Sequence, residues 1–323
     1  MKRIIITGAN GFIGTSLVKK LLSDKNLSIV LISNTNNANE EFFREKQTKE
    51  NLPLTFYTAD IRDSKTISKV FNDEKGDACI HLAAKISVVD SIKNPKETMD
   101  VNVDGTVNVL EACYKSQIRN FIFASSAAVY GDVSKLPIRE DATLDPLSPY
   151  GSSKMLAEQR ILSYYESGRI PNVVMLRIFN AYGQRQHNET DVISKFAARL
   201  SSGQAPIIYG DGAQTRDFIS VDDIVDAILV SMKRLEDGFC NGELTTSPVF
   251  NIGTGRPTSI KEVAEKMIGI FGFKMKPIHL EETDSRAILH SFADVRKAEN
   301  ALGFIAKRDL DEGLRQIVPS SIK

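Results

Sequence analysis

The chain has 323 residues, 42% of them hydrophobic, enough to bury one large α/β domain or two smaller ones and too apolar for a disordered chain. Lys plus Arg and Asp plus Glu each number 41, so no net field draws in nucleic acid or an anionic membrane, and any anion must be held locally. The apolar run in MKRIIITGANGFIG is short and broken by glycine and asparagine, so neither a signal peptide nor a membrane span is expected, and the protein reads as cytoplasmic.

Over the first 180 residues, short β-rich apolar runs alternate with helical patterns: RIIIT, GTSLVKKLL, LSIVLI, TFYTAD and TISKVF succeed one another. Residues 34–50 are polar and charge-rich and read as a solvated loop and surface helix. DACIHLAA, FIFASS and VVMLRIF are nearly continuous apolar runs, which marks strands buried on both faces. This alternation predicts right-handed crossovers, a doubly wound parallel sheet of Rossmann type, and a ligand site beyond the carboxyl ends of the strands. From Asn180 onward, turn signals at YGDGAQ, DGFCNG and GTGRP separate helices such as DVISKFAARL and SIKEVAEKMIGIF, the pattern of a smaller C-terminal α/β lobe. The expected domains are 1–179 and 180–323. Residues 216–253 are expected to return to the first, because FISVDDIVDAILVSM and PVFNIGTG are apolar enough to rejoin its sheet.

Gly8, Gly11 and Gly14 follow the strand RIIIT directly and open a helix, with Phe12 and Ile13 between the last two. Glycine lets backbone approach a pyrophosphate, and the amides at the helix start carry about half a positive charge to meet it. The second strand ends in Ser33 and Asn34, where a carboxylate would chelate the adenosine ribose; this neutral pair leaves NAD or NADP open. Asp60 and Ile61 stand at the next strand end, near adenine. Leu82, Ala83 and Ala84 place small side chains beside the dinucleotide. Cys79, Cys113 and Cys240 fit reduced thiols rather than a disulfide framework, and His81, His187, His279 and His290 are scattered, so no metal site is expected.

Tyr150 and Lys154 lie four apart at the start of the helical segment SPYGSSKMLAEQR, and therefore on one face. Ser125 and Ser126, at the end of FIFASS, are expected on the same sheet edge. A phenol with a reference pKa of about 10 is a poor base at neutral pH. One positive charge at about 5 Å, with an effective dielectric near 20, is worth roughly 3 kcal/mol or two pKa units, so Lys154 is expected to activate Tyr150.

With HLAA, VNVDGTVNVLEA, SSAAVYG, RIFNAYG, GDGAQTRDFISVDDIVDA and FNIGTG, these motifs resemble the extended short-chain dehydrogenase/reductase superfamily, and within it the nucleotide-sugar epimerases similar to UDP-glucose 4-epimerase. The resemblance implies bound NAD, a UDP-sugar substrate and a homodimer built on helices near residues 98–116 and 151–167. It implies Tyr150 as base, Lys154 on the nicotinamide ribose, Ser126 on the reacting hydroxyl, and Ser125 and Asn102 at the cofactor site. Phe179 and Asn180 would stand between nicotinamide and sugar diphosphate. Arg216 would grip the diphosphate, Tyr209 and Val192 would border the base, and Ser87 would touch the sugar. A second diphosphate arginine would stand where this chain has Asp284; Arg286, two residues on, is the candidate replacement.

Relatives that dehydrate or decarboxylate the sugar are similar in carrying Asp or Glu just after the serine; here those positions are Ala127 and Ala128. A methyl group exchanges no proton, so reversible hydride transfer at C4 is the expected chemistry. The alternatives are a net oxidoreductase or dehydratase on the same site, and a non-catalytic dinucleotide sensor, against which the Ser126, Tyr150 and Lys154 set argues.

Overall fold

A computed structural model describes residues 1–35, 38–184, 191–238, 247–281 and 288–318. Seven parallel strands form the main sheet in the spatial order Val249–Ile252, Asn172–Ile178, Asn120–Ser126, Ala78–His81, Lys2–Thr7, Leu27–Ser33 and Leu54–Thr58. The order reverses between Lys2–Thr7 and Ala78–His81. Crossover helices leave a crevice at such a switch point, beyond the carboxyl ends of the strands.

Because side chains alternate along a strand, one sequence feeds two cores. Ile4 and Ile6 face Leu17 and Val18 of the helix Phe12–Leu21 and Ile224 and Ile228 of the helix Val221–Glu236. Ile5, Phe121 and Phe123 join the opposite layer, with Ile67 of Ser64–Glu74, Leu110 of Gly105–Lys115 and Ile161 of Pro149–Glu166. Each such fully buried side chain stabilises the fold by about 1.5–3 kcal/mol relative to exposure. Of the periodic stripe Val103, Val107, Leu110 and Cys113, Leu110 and Cys113 pack in this core, Val103 is buried and Val107 is half-buried.

The expected surface helix is present as Ala38–Glu50, with Phe43 and Glu40 buried on its inner side. The structure departs from the sequence expectation in one place. Residues 98–116 are not one α-helix, since a π-helical turn at Asp100–Asp104 separates Pro95–Met99 from Gly105–Lys115.

The C-terminal lobe has its own core, in which Phe196 and Leu200 of Val192–Ser201 meet Val263 and Met267 of Ile260–Ile270 and Leu314 of Leu310–Ile317. Its strand Thr215–Arg216 lies between Thr258–Ser259 and His290–Ser291, and Phe218–Ser220 pairs with Asn180–Tyr182. Asp217 joins lobe to sheet: its fully buried carboxylate accepts hydrogen bonds from Thr254, Gly255 and Ala293. Among the described residues, no helix is long and apolar enough to cross a membrane.

Candidate active site

A groove of about 590 Å³ runs along the switch point. Gly8, Gly11, Phe12, Ile13 and Gly14 line its middle, since their strand lies between those that end in Ser33 and in His81. Gly8 has φ +72°, and a Cβ there would lie 2.6 Å from the Ala83 nitrogen; at Gly14 it would lie 2.3 Å from the Gly8 carbonyl oxygen. Glycine therefore lets strand, loop and helix close on one another. No side chain caps the helix at Gly11, so its first-turn amides are left for a ligand. The cradle fits a pyrophosphate.

Ser33 and Asn34 line the next stretch, with Thr35 and Asn39, which the sequence reading missed. The Ser33 hydroxyl accepts from the Asn10 amide at 3.0 Å, and the Asn10 side chain donates to Thr35 O and Glu40 Oε2, both at 2.9 Å. Glu40 is in turn paired with Arg44. Asp60 and Ile61 line the groove beyond; hydrogen bonding from Arg62 holds the Asp60 carboxyl below its ordinary range.

Leu82, Ala83 and Ala84 form a wall. Asn102 is buried behind it, outside the groove lining. Its Oδ1 accepts from Lys85 N at 2.7 Å, and its Nδ2 donates to Lys85 O at 2.9 Å and Ser153 Oγ at 2.8 Å. It clamps the wall to the helix that carries Tyr150.

At the far end, Ser125, Ser126, Tyr150, Lys154 and Phe179 converge. Pro149 at the first helical position and the Ser148 hydroxyl, accepting from Gly151 N at 3.1 Å, start the helix so that Tyr150 sits in its first turn. Lys154 Nζ donates to Ala124 O at 2.8 Å and lies 4.7 Å from the Phe123 ring centroid. Burial pushes this ammonium down to about 8, against the opposing charge of Glu158. The expected lowering of the Tyr150 pKa by Lys154 is not seen. Burial raises the phenol, and the group that opposes burial is Ser126, through a side-chain hydrogen bond. Ser126 Oγ also accepts from Ala128 N at 3.2 Å, and Ala127 and Ala128 begin a 3-10 turn beside it.

Ser125 has a second engagement. Its hydroxyl donates to Glu158 Oε1 at 2.5 Å, and Glu158 is paired with Arg177 at 2.7 Å. Arg177 also donates to Tyr130 Oη and Glu140 O, and Tyr130 Oη donates to Asn251 Oδ1 at 2.6 Å. Neither Glu158 nor Arg177 was singled out from sequence. The available signal was an arginine inside the buried run VVMLRIF, which requires an anionic partner.

Apart from Ser126, the expected substrate contacts among the described residues lie outside this groove lining. Ser87 caps the helix Val88–Lys93, accepting from Asp90 N at 3.1 Å. Asn180 is exposed, its amide donating to Asp217 O. Val192 begins its helix next to the capping Asp191, and Tyr209 is about half exposed at the end of the strand Ile207–Tyr209. Arg216 is half-buried and donates to Thr215 O at 2.8 Å; burial lowers its pKa, with Asp132 opposing. An Arg216 pair with Asp217 is not formed, since Asp217 is committed to Thr254, Gly255 and Ala293. Arg286, Asp284, His187 and Cys240 lie outside the described residues. Cys79 and Cys113 are free, buried thiols. Among the described residues, no group of three or more His, Cys, Asp or Glu side chains is placed to hold a metal.

His81 is fully buried between Thr7 and Thr106. The Thr106 hydroxyl donates to Asn102 O, so His81 Nε2–H donates to Thr106 and Nδ1 accepts from Thr7, the neutral tautomer. Burial, and then the Lys154 charge, pushes its pKa down to about 3 from 6.5. A depressed pKa gives stability that is present above the unfolded value and lost as pH falls. Between pH 7 and pH 5, His81 is expected to remove about 2 kcal/mol of unfolding free energy. Urea titrations at the two pH values check this: the His81→Gln protein should lose that increment of pH dependence, and an unchanged dependence would contradict the assignment.

The sequence profile of the family described as GDP-mannose 4,6 dehydratase matches residues 5–317. A putative UDP-glucose 4-epimerase of Methanocaldococcus jannaschii is 36% identical over 318 residues, covering 98% of this chain and 97% of that protein. The crystal structure of UDP-glucose 4-epimerase from Thermotoga maritima with UDP-glucose superposes with a TM-score of 0.84 at 30% identity, covering 97% of this chain and 96% of the other. A UDP-glucose 4-epimerase from Stenotrophomonas maltophila, with bound NAD and formylated UDP-arabinopyranose, has a TM-score of 0.87 at 26% identity, covering 98% and 96%.

Proposed function

The chain belongs to this family of extended short-chain dehydrogenases/reductases, and on that premise we propose that it is an NAD-dependent 4-epimerase of UDP-hexoses, interconverting UDP-glucose and UDP-galactose or their N-acetylated forms. The observation that carries the reading is the convergence of Ser126, Tyr150 and Lys154 in the groove, on one side of the glycine cradle. Two methyl side chains, Ala127 and Ala128, follow the serine where a dehydratase would need an acid.

Gly8, Gly11 and the amides of Phe12 and Ile13 would hold the pyrophosphate, Ser33 and Asn34 the adenosine ribose, and the Leu82 to Ala84 wall the dinucleotide. NAD supplies a reversible hydride acceptor for C4. Tyr150 takes the proton of the sugar 4-hydroxyl, directly or through Ser126, which sits within hydrogen-bonding reach of it. Burial raises the phenol, so its activation depends on positive charge near it, which Lys154 and a bound nicotinamide would supply. The product of the first half-reaction is a 4-keto sugar. Rotation about its diphosphate tether presents the opposite face, and Tyr150 returns the proton as C4 is reduced with inverted configuration.

Such a rotation needs a firm grip on the nucleotide and a loose one on the sugar. Arg216 supports the first, since a half-buried guanidinium is well shaped for bidentate diphosphate binding. Asn180, Val192, Tyr209, Ser87 and Arg286 complete the proposed nucleotide and sugar contacts. We also propose a cytoplasmic homodimer formed through the helices Gly105–Lys115 and Pro149–Glu166, on the first of which Tyr114 is about half exposed.

Incubation with UDP-galactose and, separately, UDP-N-acetylgalactosamine, followed by NMR of the products, tests the function. The expected result is inversion at C4 with no free reduced cofactor formed or consumed. A 4-keto-6-deoxy sugar, or stoichiometric turnover of added NAD(P)H, would replace this reading with the dehydratase or reductase one.

A further inference from the structure

The proposed function asks Lys154 to remain an ammonium in a place that disfavours one. Around its Nζ stand the Ala124 carbonyl and the Phe123 ring from the strand Asn120–Ser126 and the neutral His81 from the adjacent strand; Tyr150 precedes it by one turn on its own helix. Glu158, one turn later on that helix and 2% exposed, is the carboxylate whose charge favours the ammonium. It is tightly held: Oε1 accepts from Ser125 Oγ at 2.5 Å and Arg177 Nε at 3.0 Å, and Oε2 from Arg177 Nη2 at 2.7 Å. Ser125 directly follows Ala124, so Lys154 and Glu158 clasp consecutive residues of one strand, while Arg177 stands in register with Ser125 on the next.

We infer that Glu158 is a positioning residue for the reaction: clamped by Ser125 and Arg177, it keeps a fixed negative charge one helical turn behind Lys154 and holds that lysine cationic at the mouth of the groove. The inference rests on the proposed roles of Lys154 and Tyr150. A bare carboxylate would be costly to bury, and Arg177 removes most of that cost while fixing the carboxylate's orientation. An ion pair retained only for stability is replaceable by apolar side chains of similar volume, so the two roles separate by experiment.

Glu158→Gln keeps the shape and the Ser125 hydrogen bond and deletes the charge. Without the carboxylate the Lys154 ammonium titrates lower by about one unit. Since burial already places it at about 8, kcat of the holoenzyme should fall about eightfold at pH 8.5 but stay within about twofold at pH 6, with KM for the UDP-sugar unchanged. Because Arg177 left alone in the core can unfold the chain, Glu158→Gln/Arg177→Met removes both charges and is expected to show the same pH-selective loss. NMR titration of the Lys154 ε-carbon in 13C-lysine-labelled protein should move down by about one unit in both variants. A folded variant with the wild-type kcat profile and lysine titration, or with a loss uniform across pH, would overturn the inference. Tyr150→Phe is measured alongside: turnover retained there would overturn the proposed function, whereas an inactive Tyr150→Phe beside an unperturbed Glu158→Gln overturns the role of Glu158 alone.

Discussion

Replacing Tyr150 with Phe is expected to lower kcat by about 10²–10⁴-fold, the usual contribution of a positioned general base, while leaving NAD bound and the fold intact. The substitution removes one oxygen and leaves the ring. The Tyr150 amide still donates to Ser91 Oγ at 3.2 Å, and the Ser148 cap that starts the helix is untouched. The loss in stability is that of one hydrogen bond with Ser126, about 1 kcal/mol. Steady-state turnover of UDP-galactose, with the absorbance of protein-bound NAD and a melting curve, checks all three statements. Near-normal turnover would remove Tyr150 from the reaction.

Gly8→Ala is expected to damage the protein at the cofactor end. A left-handed backbone costs a non-glycine residue about 1–2 kcal/mol, and Gly8 has φ +72°. The added methyl would also stand 2.6 Å from Ala83 N, 2.8 Å from Ala83 Cα and 2.8 Å from Leu82 C, all backbone of the groove wall. A flexible side chain yields to such a contact, but here the end of the strand Ala78–His81 must move. The expected outcome is about 2–4 kcal/mol of lost stability and purification largely free of NAD. Gly11→Ala is the control: Gly11 has φ −74°, and its added methyl meets only Gly8 O, at 3.2 Å. It should fold with near-wild-type stability. Equal NAD content in wild type and Gly8→Ala would refute the cradle.

Much of this architecture is written in short-range patterns. RIIIT, LSIVLI and VVMLRIF are apolar on both faces because a strand in the middle of a doubly covered sheet has no wet side, and the structure buries Ile4, Ile5 and Ile6 completely. The spacing of Tyr150 and Lys154 on one helical face, and the glycines after the first strand, follow from helix and turn geometry and were legible for the same reason. Residues 34–50 read correctly as a loop and surface helix, but composition averages over faces and hid the buried side. One side of the helix Ala38–Glu50 is charged, but Phe43 on the other is buried.

What escaped the sequence depends on partners far along the chain. Asn102 was expected among the cofactor contacts; in space its amide bridges Lys85 and Ser153, 17 and 51 residues away. Ser125 was expected to face the cofactor, and it lines the groove, but its hydroxyl is spent on Glu158, 33 residues on. The protonation of the site belongs here too. A charge placed at a guessed distance predicted a lowered phenol, whereas burial, which no local pattern encodes, raises Tyr150 and lowers Lys154.

The sequence by itself determined the strand and helix alternation, the glycine cradle, the reactive side-chain types and the methyl groups at 127 and 128, because each is a property of neighbours along the chain. Only the tertiary structure decided which buried charges meet, Glu158 with Arg177 beside Lys154, and how far each ionisable group departs from its ordinary pKa. Desolvation and Coulomb energies depend on distances through space, and those exist only once strands 50 residues apart have paired.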